Sequence, residues 1–223
     1  MAGIIMKSTD SRFELSKIFA KINQFLSWPI VFLYFNIFFK LKIKNAENLQ
    51  KISSPFIIIS NHVSTYDSFI FRLVLGIRGK NLPLRFMAVN KFDYWYLNLL
   101  SKLFIIDLIY LLFGVFIVVK GRGINKNLEE AIRIINNNGN VVIYPEGSII
   151  KTEGISDFKR GAAMLAKQTR VPVIPVMMNV SKGGFRREFK VNVDEIIKVD
   201  YDLSVEEINK VFYERMVELR RGS

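Results

Sequence analysis

The amino-acid sequence predicts an α/β domain with a largely parallel mixed sheet, covered by helices on both faces and preceded by N-terminal membrane-associating helices. Short, continuously apolar segments alternate along the chain with segments of helical periodicity, as in parallel sheets buried on both faces. Before them lies the apolar segment 25–39, which is rich in aromatic residues and flanked by lysines. We therefore divide the chain into amphipathic or apolar helices at residues 1–45 and an α/β domain at residues 46–223.

The predicted strands are short runs of apolar and β-branched residues bounded by polar or turn-forming residues. They comprise Pro55–Ser60, Pro83–Val89, Val115–Val119, Asn140–Tyr144 and Val171–Met178. Helical patterns lie between them at Tyr66–Leu75, Asn127–Asn136 and Gly161–Gln168. Because proline lacks a backbone donor, Pro172 and Pro175 predict that the last strand lies at a sheet edge or a bulge.

The C-terminal segment predicts an amphipathic helix with a structural role. Ser204 and Glu207 have the spacing of a capping box, in which each residue satisfies a backbone N–H of the other. Apolar residues then recur on one helical face, at Val205, Ile208, Phe212, Met216 and Leu219.

The segment 25–39 raises the question of a membrane span. It is shorter than the roughly 20 residues that a helix needs to cross the hydrocarbon, and Pro29 and Asn36 interrupt it. Lysines on both sides give no inside–outside asymmetry. We expect residues 12–39 to form one or two helices that lie in or dip into one leaflet. A buried core helix and a true span are the alternatives.

A second apolar segment, Leu103–Val119, contains Asp107. An unpaired carboxylate near the bilayer centre costs a few kcal/mol, so this segment is a poor candidate for a span. Gly114 divides it, and we expect a helix or an apolar loop near the membrane before this glycine and a buried strand after it.

Composition restricts the possible chemistry. The chain of 223 residues has a formal charge of +12, which favours anionic partners. Residues 1–180 carry 23 basic and 11 acidic side chains as well as the apolar segments, a combination that favours a membrane surface over a nucleic acid. We also expect no secretory signal, because the first twenty residues contain Asp10, Glu14 and no long apolar run.

Two residue types are almost missing from the sequence. The absence of cysteine excludes disulfides, zinc ribbons and thiol nucleophiles, and the single histidine, His62, argues against a histidine-rich metal site.

The strongest local signal, Asn61–Asp67, directly follows the strand Pro55–Ser60. Residues just beyond the carboxyl end of a strand line the ligand crevice of an α/β sheet. We expect Ser64 or Thr65 to cap the next helix, with Asp67 in its first turn and close enough to bond the His62 imidazole. A carboxylate on one ring nitrogen leaves the other free to act as a base, although a His and an Asp at this spacing also occur by chance.

Two further segments follow predicted strands. In Tyr144–Ser148, Glu146 and Ser148 supply polar groups and Gly147 permits close approach of a ligand, although an ordinary turn is the alternative. Lys120 and Arg122 lie in a glycine-containing turn that suits a phosphate, with a solvated basic loop as the alternative.

Together and in this order, these segments resemble the glycerolipid (lysophospholipid) acyltransferase family, which includes 1-acylglycerol-3-phosphate acyltransferases. The family motif N-H-x-x-x-x-D is similar to Asn61–Asp67, and P-E-G-T/S is similar to Pro145–Ser148. The motif G-x-x-F-I-x-R resembles Gly114–Lys120, V-P-[IV]-[IV]-P-V resembles Val171–Val176, and a connecting F-K-x-G fits Phe158–Gly161. The resemblance covers roughly half of the chain.

The resemblance implies direct acyl transfer to 1-acylglycerol 3-phosphate, giving phosphatidic acid. His62 would remove the proton from the acceptor hydroxyl, and Asp67 would orient the imidazole and stabilise its charge. The hydroxyl would attack the thioester of acyl-CoA or acyl carrier protein, with no covalent enzyme intermediate, no metal and no other cofactor. The residues expected to bind substrate are Asn61, Lys120, Arg122, Glu146, Gly147, Ser148, Lys159 and Pro175.

The sequence departs from the family pattern at two positions. Lys120 stands where the family usually has arginine, and Ile149 stands where many members have a second one. A lysine binds phosphate as a point charge rather than through a bidentate fork. Arg122, Lys151, Lys159 or Arg160 would then substitute. The same chemistry on another acceptor (a lysophospholipid, an aminoacyl lipid or a glycolipid) therefore stays open.

The expected partners are membrane lipids and the acyl donor, with no nucleic acid. The expected location is the cytoplasmic face of a membrane, as a monotopic or peripheral protein. A non-catalytic lipid-binding module is the rival from another functional class. Acyl-chain length and oligomeric state do not follow from the sequence.

Overall fold

Seven strands pair into one sheet in the computed structural model, which describes residues 2–77, 79–89, 110, 113–118, 123–149, 154–181 and 186–222, with side chains from Phe13 onward. The strands are β1 (Phe39–Lys44), β2 (Ile57–Ser60), β3 (Leu84–Val89), β4 (Val115–Val118), β5 (Asn140–Ile143), β6 (Val173–Ser181) and β7 (Arg187–Val193). Their order across the sheet is β1-β7-β6-β2-β5-β3-β4. All neighbours are parallel except β6 and β7, so the predicted mixed, largely parallel sheet is confirmed.

The five predicted strands are all present, with ends shifted by no more than three residues. Strands β1 and β7 were not predicted. Exposed and half-buried residues alternate along β1, because it lies at the sheet edge, so it contains no continuous apolar run. Strand β1 also falls within the segment 1–45, so the sheet begins before the predicted division at residue 45.

The expected edge position of the strand with paired prolines is wrong. Strand β6 lies inside the sheet, between β7 and β2. Its pairing with β7 runs only from Val176 to Ser181, so Pro175 lies just beyond the end of β7. The Pro175 carbonyl accepts instead from the Asp194 N–H at 2.9 Å, and the missing proline donor costs no ladder bond there.

Helices cover both faces of the sheet, as predicted. Their bounds are α1 (Ala2–Leu26), α2 (Trp28–Phe38), α3 (Glu47–Lys51), α4 (Asp67–Val74), α5 (Ile124–Asn136), α6 (Gly161–Thr169) and α7 (Val205–Arg221). On one face, α2, α3 and α4 pack against Ile58, Val142 and Ile174. On the other face, α1, α5, α6 and α7 pack against Ile57, Ile59 and Val141. Successive strand residues thus pack into cores on opposite faces of the sheet. The strands are therefore continuous apolar runs in the sequence.

The C-terminal helix has the predicted cap. The Glu207 N–H donates to the Ser204 hydroxyl at 3.2 Å, and the Ser204 N–H donates to the Glu207 carboxylate at 2.8 Å. Ile208, Phe212 and Met216 are buried, so this helix contributes its apolar face to the second core.

The N-terminal segment forms two helices, and the first begins at Ala2 rather than at Arg12. No single helix among the described residues has the length and apolar composition of a membrane span. The pair Phe13–Leu26 and Trp28–Phe38, bent by 44°, meets those criteria together. Most of the large exposed apolar side chains lie on these helices, among them Ile18, Phe25, Leu26, Ile30, Leu33 and Phe38. Their association with a membrane stays a prediction.

Polar side chains fix the junction of α1 and α2 to the sheet. Buried Gln24 donates to the carbonyls of Leu84 and Phe113, each at 2.7 Å, and accepts from the Leu84 N–H at 3.0 Å. Arg72 of α4 donates to the carbonyls of Gln24 and Phe25, and burial lowers its pKa to about 10. Since apolar packing alone would let the helices slide, these bonds define where α1 ends.

Replacing Gln24 with leucine tests this attachment. The variant leaves the Leu84 N–H and two carbonyls buried without this partner, and each unsatisfied group costs about 1–3 kcal/mol. We expect the free energy of unfolding, measured by urea denaturation in detergent, to fall by about 3 kcal/mol. Asn23→Leu is the control, because the half-buried Asn23 side chain bonds the Phe19 carbonyl within the same helix rather than the sheet. Equal effects of the two substitutions would contradict the attachment.

Candidate active site

The sheet topology brings two of the predicted motifs together. Strands β2 and β5 are parallel neighbours, with Ile59 paired to Ile143, so the residues after their carboxyl ends are adjacent. Asn61 and His62 follow β2, and Tyr144 to Gly147 follow β5. A crevice at this end of a parallel sheet is the usual position of an α/β ligand site.

The His62 imidazole bonds the Asp67 carboxylate. The distance from His62 Nδ1 to Asp67 Oδ2 is 2.7 Å, as the sequence predicted. Since an ionised carboxylate only accepts hydrogen bonds, Nδ1 carries the ring proton and the lone pair lies on Nε2. About 24% of the His62 side chain is exposed, so a ligand can approach this ring.

Asp67 is buried and accepts three further hydrogen bonds. They come from the N–H groups of Val63 and Ser64, at 3.0 and 3.3 Å, and from the Ser64 hydroxyl at 2.7 Å. The expected capping of α4 by Ser64 or Thr65 is wrong, because Tyr66 occupies the N-cap position. Ser64 is used differently: its hydroxyl bonds the carboxylate and accepts from the Tyr66 N–H.

Glu146 joins the two loops. One carboxylate oxygen accepts from the His62 N–H at 3.1 Å and the other accepts from the Ser156 N–H at 3.2 Å. Burial raises the pKa of Glu146, while these two bonds and the charges of His62 and Arg220 oppose the rise. In this structure Glu146 therefore holds the backbone at His62, whereas the sequence predicted contact with substrate.

Tyr144 lies against the imidazole, a contact that the sequence analysis missed. The two rings stack with centroids 4.2 Å apart and an angle of 17° between their planes. Burial, and then the negative charge of Asp67, raise the pKa of Tyr144 well above its usual value. The available signal was an aromatic residue directly before Pro145, just after the strand that neighbours the one preceding His62.

Two predicted substrate-binding residues belong to the scaffold instead. The Asn61 side chain donates to the Met178 carbonyl at 2.7 Å and accepts from the Met178 N–H at 2.8 Å, so it ties the end of β2 to β6. Pro175 is buried within β6, opposite Ile59.

Lys159 lies over the turn that contains Gly147. Gly147 has φ of +72°, and a Cβ atom at this position would be 2.5 Å from Lys159 Nζ. The Lys159 N–H also donates to the Pro145 carbonyl at 2.8 Å. The backbone conformation favours a glycine here, and a Cβ atom would also force the flexible Lys159 side chain to shift. Ser148 follows on the same exposed turn.

Of the remaining predicted site residues, some are described by the structure and others are not. Lys120, Arg122 and Lys151 lie outside the described residues. Arg160 is exposed and pairs with Glu206 at 3.2 Å. No three His, Cys, Asp or Glu side chains of the described ranges come together in a group that would hold a metal, and the expected independence from metal stays a prediction.

The chain matches known proteins along most of its length. The family profile named Acyltransferase matches residues 40–179, which is more than half of the chain. The chain belongs to the acyltransferase family. The chain is 30% identical over 146 residues to a probable 1-acyl-sn-glycerol-3-phosphate acyltransferase of Mycoplasma pneumoniae, covering 65% of our chain and 51% of that protein.

A human relative and a solved structure are similar to the chain as well. The chain is 31% identical over 143 residues to the human 1-acyl-sn-glycerol-3-phosphate acyltransferase beta, covering 62% of our chain and 46% of the human one. The chain thus spans about half the length of these curated relatives. Its fold is similar to the crystal structure of the 1-acyl-sn-glycerophosphate acyltransferase from Thermotoga maritima, with a TM-score of 0.55, 20% identity and coverage of 95% and 83%.

The tautomer of His62 can be tested directly, because the chain contains one histidine. A long-range ¹H–¹⁵N spectrum of neutral His62 should show the proton on Nδ1. Asp67→Asn removes the charged acceptor and should shift the tautomer population toward the Nε2–H form. Asp157→Asn, in the exposed loop before α6, should leave the spectrum unchanged. A wild-type imidazole protonated mainly on Nε2 would contradict the assigned geometry.

Proposed function

We propose that this chain transfers a fatty acyl group from a thioester donor to the free hydroxyl of 1-acylglycerol 3-phosphate, giving phosphatidic acid. The observation that carries the proposal is the 2.7 Å bond between His62 Nδ1 and Asp67, which leaves Nε2 of a partly exposed imidazole as the base. The names of its relatives, both called 1-acyl-sn-glycerol-3-phosphate acyltransferases, support the same acceptor.

The mechanism follows from this pair of residues. His62 Nε2 takes the proton of the acceptor hydroxyl as the oxygen attacks the thioester carbonyl, and Asp67 stabilises the imidazolium that forms. Collapse of the tetrahedral intermediate breaks the carbon–sulfur bond, and the imidazolium returns the proton to the leaving thiolate. Acyl-CoA and acyl carrier protein both present the thioester that this step requires.

A direct transfer fits the nucleophiles that the site offers. The chain contains no cysteine. The Ser64 hydroxyl donates to Asp67 rather than to the imidazole, so His62 does not activate it for acylation. The acceptor hydroxyl is then the nucleophile.

Lys159 is the cation among the described residues that lies over the P-E-G-S turn, and we assign it to the acceptor phosphate. Lys120 and Arg122 are the further cations proposed for this phosphate, with Gly147 and Ser148 near the glycerol. Since Ile149 replaces a family arginine, a lysophospholipid with a different headgroup is the second candidate acceptor.

The exposed apolar side chains of α1 and α2 support docking on one leaflet of a membrane. The acceptor and the product both reside in a bilayer, and side chains such as Leu26, Ile30 and Phe38 would lose contact with water there. We propose a monotopic arrangement on the cytoplasmic face.

The experiment is an acyl-transfer assay in mixed micelles with a long-chain acyl-CoA and, separately, an acylated carrier protein. His62→Ala should lower kcat by about 10²–10⁴-fold while the protein remains folded, because a general base of this kind contributes that factor. Folding is checked by circular dichroism. Turnover of a folded His62→Ala protein at the wild-type rate would overturn the mechanism. Lipid binding without transfer in the wild type would favour the non-catalytic module.

The Lys159 assignment makes a separate prediction. Lys159→Met should raise KM for 1-acylglycerol 3-phosphate by about tenfold, since a charged hydrogen bond contributes about 1.5–3 kcal/mol, with a smaller change in kcat. Lys126→Met, at an exposed position of α5, is the matched control. If an acceptor without a phosphate monoester loses affinity equally, the assignment to phosphate is wrong.

A further inference from the structure

Basic side chains gather where the end of α2 meets strands β1 and β7. Residues 39–44 and 186–193 carry six basic side chains and one acidic one, a net charge of +5 within a chain of +12. The six are Lys40, Lys42, Lys44, Arg186, Arg187 and Lys190, and we call them the basic rim. The sequence separates its two halves by more than 140 residues, and the parallel pairing of β1 with β7 joins them.

The basic rim is exposed and mostly without acidic counterparts in its own strands. Every member is exposed except Arg186, which is half-buried. The acidic member of the pair of strands, Glu188, bonds Lys42 at 3.0 Å. Register places Lys42 beside Lys190 and Phe39 beside Arg187, so Lys190 shares the face of the three β1 lysines and Arg187 lies on the other face.

The rim adjoins the apolar surface of α2. Arg186 donates to the carbonyl of Asn36 at 2.7 Å, at the end of that helix. Ile37 and Phe38 there are 53% and 56% exposed, and Lys40 follows two residues later. A soluble anionic protein or a nucleotide would contact only the cations of this surface. A leaflet with anionic headgroups presents phosphate beside hydrocarbon, which matches both parts of this surface.

We propose that the basic rim binds the anionic headgroups of the leaflet on which α1 and α2 dock, so that the protein prefers membranes rich in anionic lipid. The inference rests on the membrane docking in the proposed function. Strand β1 runs away from α2 at about 3.3 Å per residue, so Lys44 lies about 13 Å beyond Lys40, more than the Debye length of about 8 Å. The contribution of each lysine to membrane binding therefore decreases from Lys40 to Lys44.

Binding to sedimented vesicles tests the proposal. One set contains phosphatidylcholine alone, and the other contains phosphatidylcholine with about one third phosphatidylglycerol. The rim variant combines Lys40→Gln, Arg187→Gln and Lys190→Gln. The control combines Lys126→Gln, Lys198→Gln and Lys210→Gln, three exposed lysines outside the rim, so that the net charge changes equally. Circular dichroism confirms that both variants are folded.

We expect the rim variant to lose about tenfold or more in partitioning to anionic vesicles at low salt, since one cation near such a surface contributes about fivefold. The control should lose less than about threefold, and binding to neutral vesicles should stay constant. Equal losses of binding to anionic vesicles in both variants would overturn the role proposed for the basic rim. Loss of affinity for an acidic carrier protein with unchanged vesicle binding would also overturn it. Failure of the wild type to bind either vesicle would instead refute the docking in the proposed function.

Discussion

The buried carboxylate of Asp67 is the constraint on which the candidate site depends. A charge in the interior must be paired or hydrogen-bonded, and here two backbone N–H groups, a hydroxyl and an imidazole all point at one side chain. Meeting that requirement fixes the path of residues 62–64, the tautomer of His62 and the start of α4 together. Removing the carboxylate therefore affects the loop as well as the base.

A second buried carboxylate, that of Glu146, holds His62 through its backbone rather than through its ring. Glu146 accepts from the His62 backbone, while Asp67 at the start of α4 accepts from the His62 ring, so both the backbone and the side chain of this residue are held. Tyr144 stacks on one face of the imidazole, which leaves rotation about χ1 little room. The histidine is thus positioned before any substrate arrives, and preorganisation of this kind lowers the barrier without cost at the moment of reaction.

The sequence predicted the parts of this architecture that depend on local residue patterns. Apolar runs such as Pro55–Ser60 identified the buried strands, and motif spacing identified the contact between His62 and Asp67. Strands β1 and β7 escaped prediction. The edge strand β1 and its neighbour β7 both contain exposed residues and have mixed composition, and their pairing joins distant segments. Asn61 and Pro175 were placed at the substrate because motif membership does not distinguish a residue that contacts a ligand from one that supports it. Only the contacts with Met178 and Ile59 make that distinction.

Helix α4 connects the candidate base to helices α1 and α2. Asp67 is its first residue, and Arg72, about 7.5 Å further along the axis, bonds the carbonyls at the junction of α1 and α2. Gln24 fixes the same junction to β3. These bonds connect the exposed apolar surface of α1 and α2 to the helix whose first residue bonds the imidazole. Under the proposed docking of α1 and α2, the depth at which they enter a leaflet would set the height of His62 above it. A flexible linker between an anchor and a catalytic domain would allow that height to vary, whereas here buried hydrogen bonds join α1, α4 and β3.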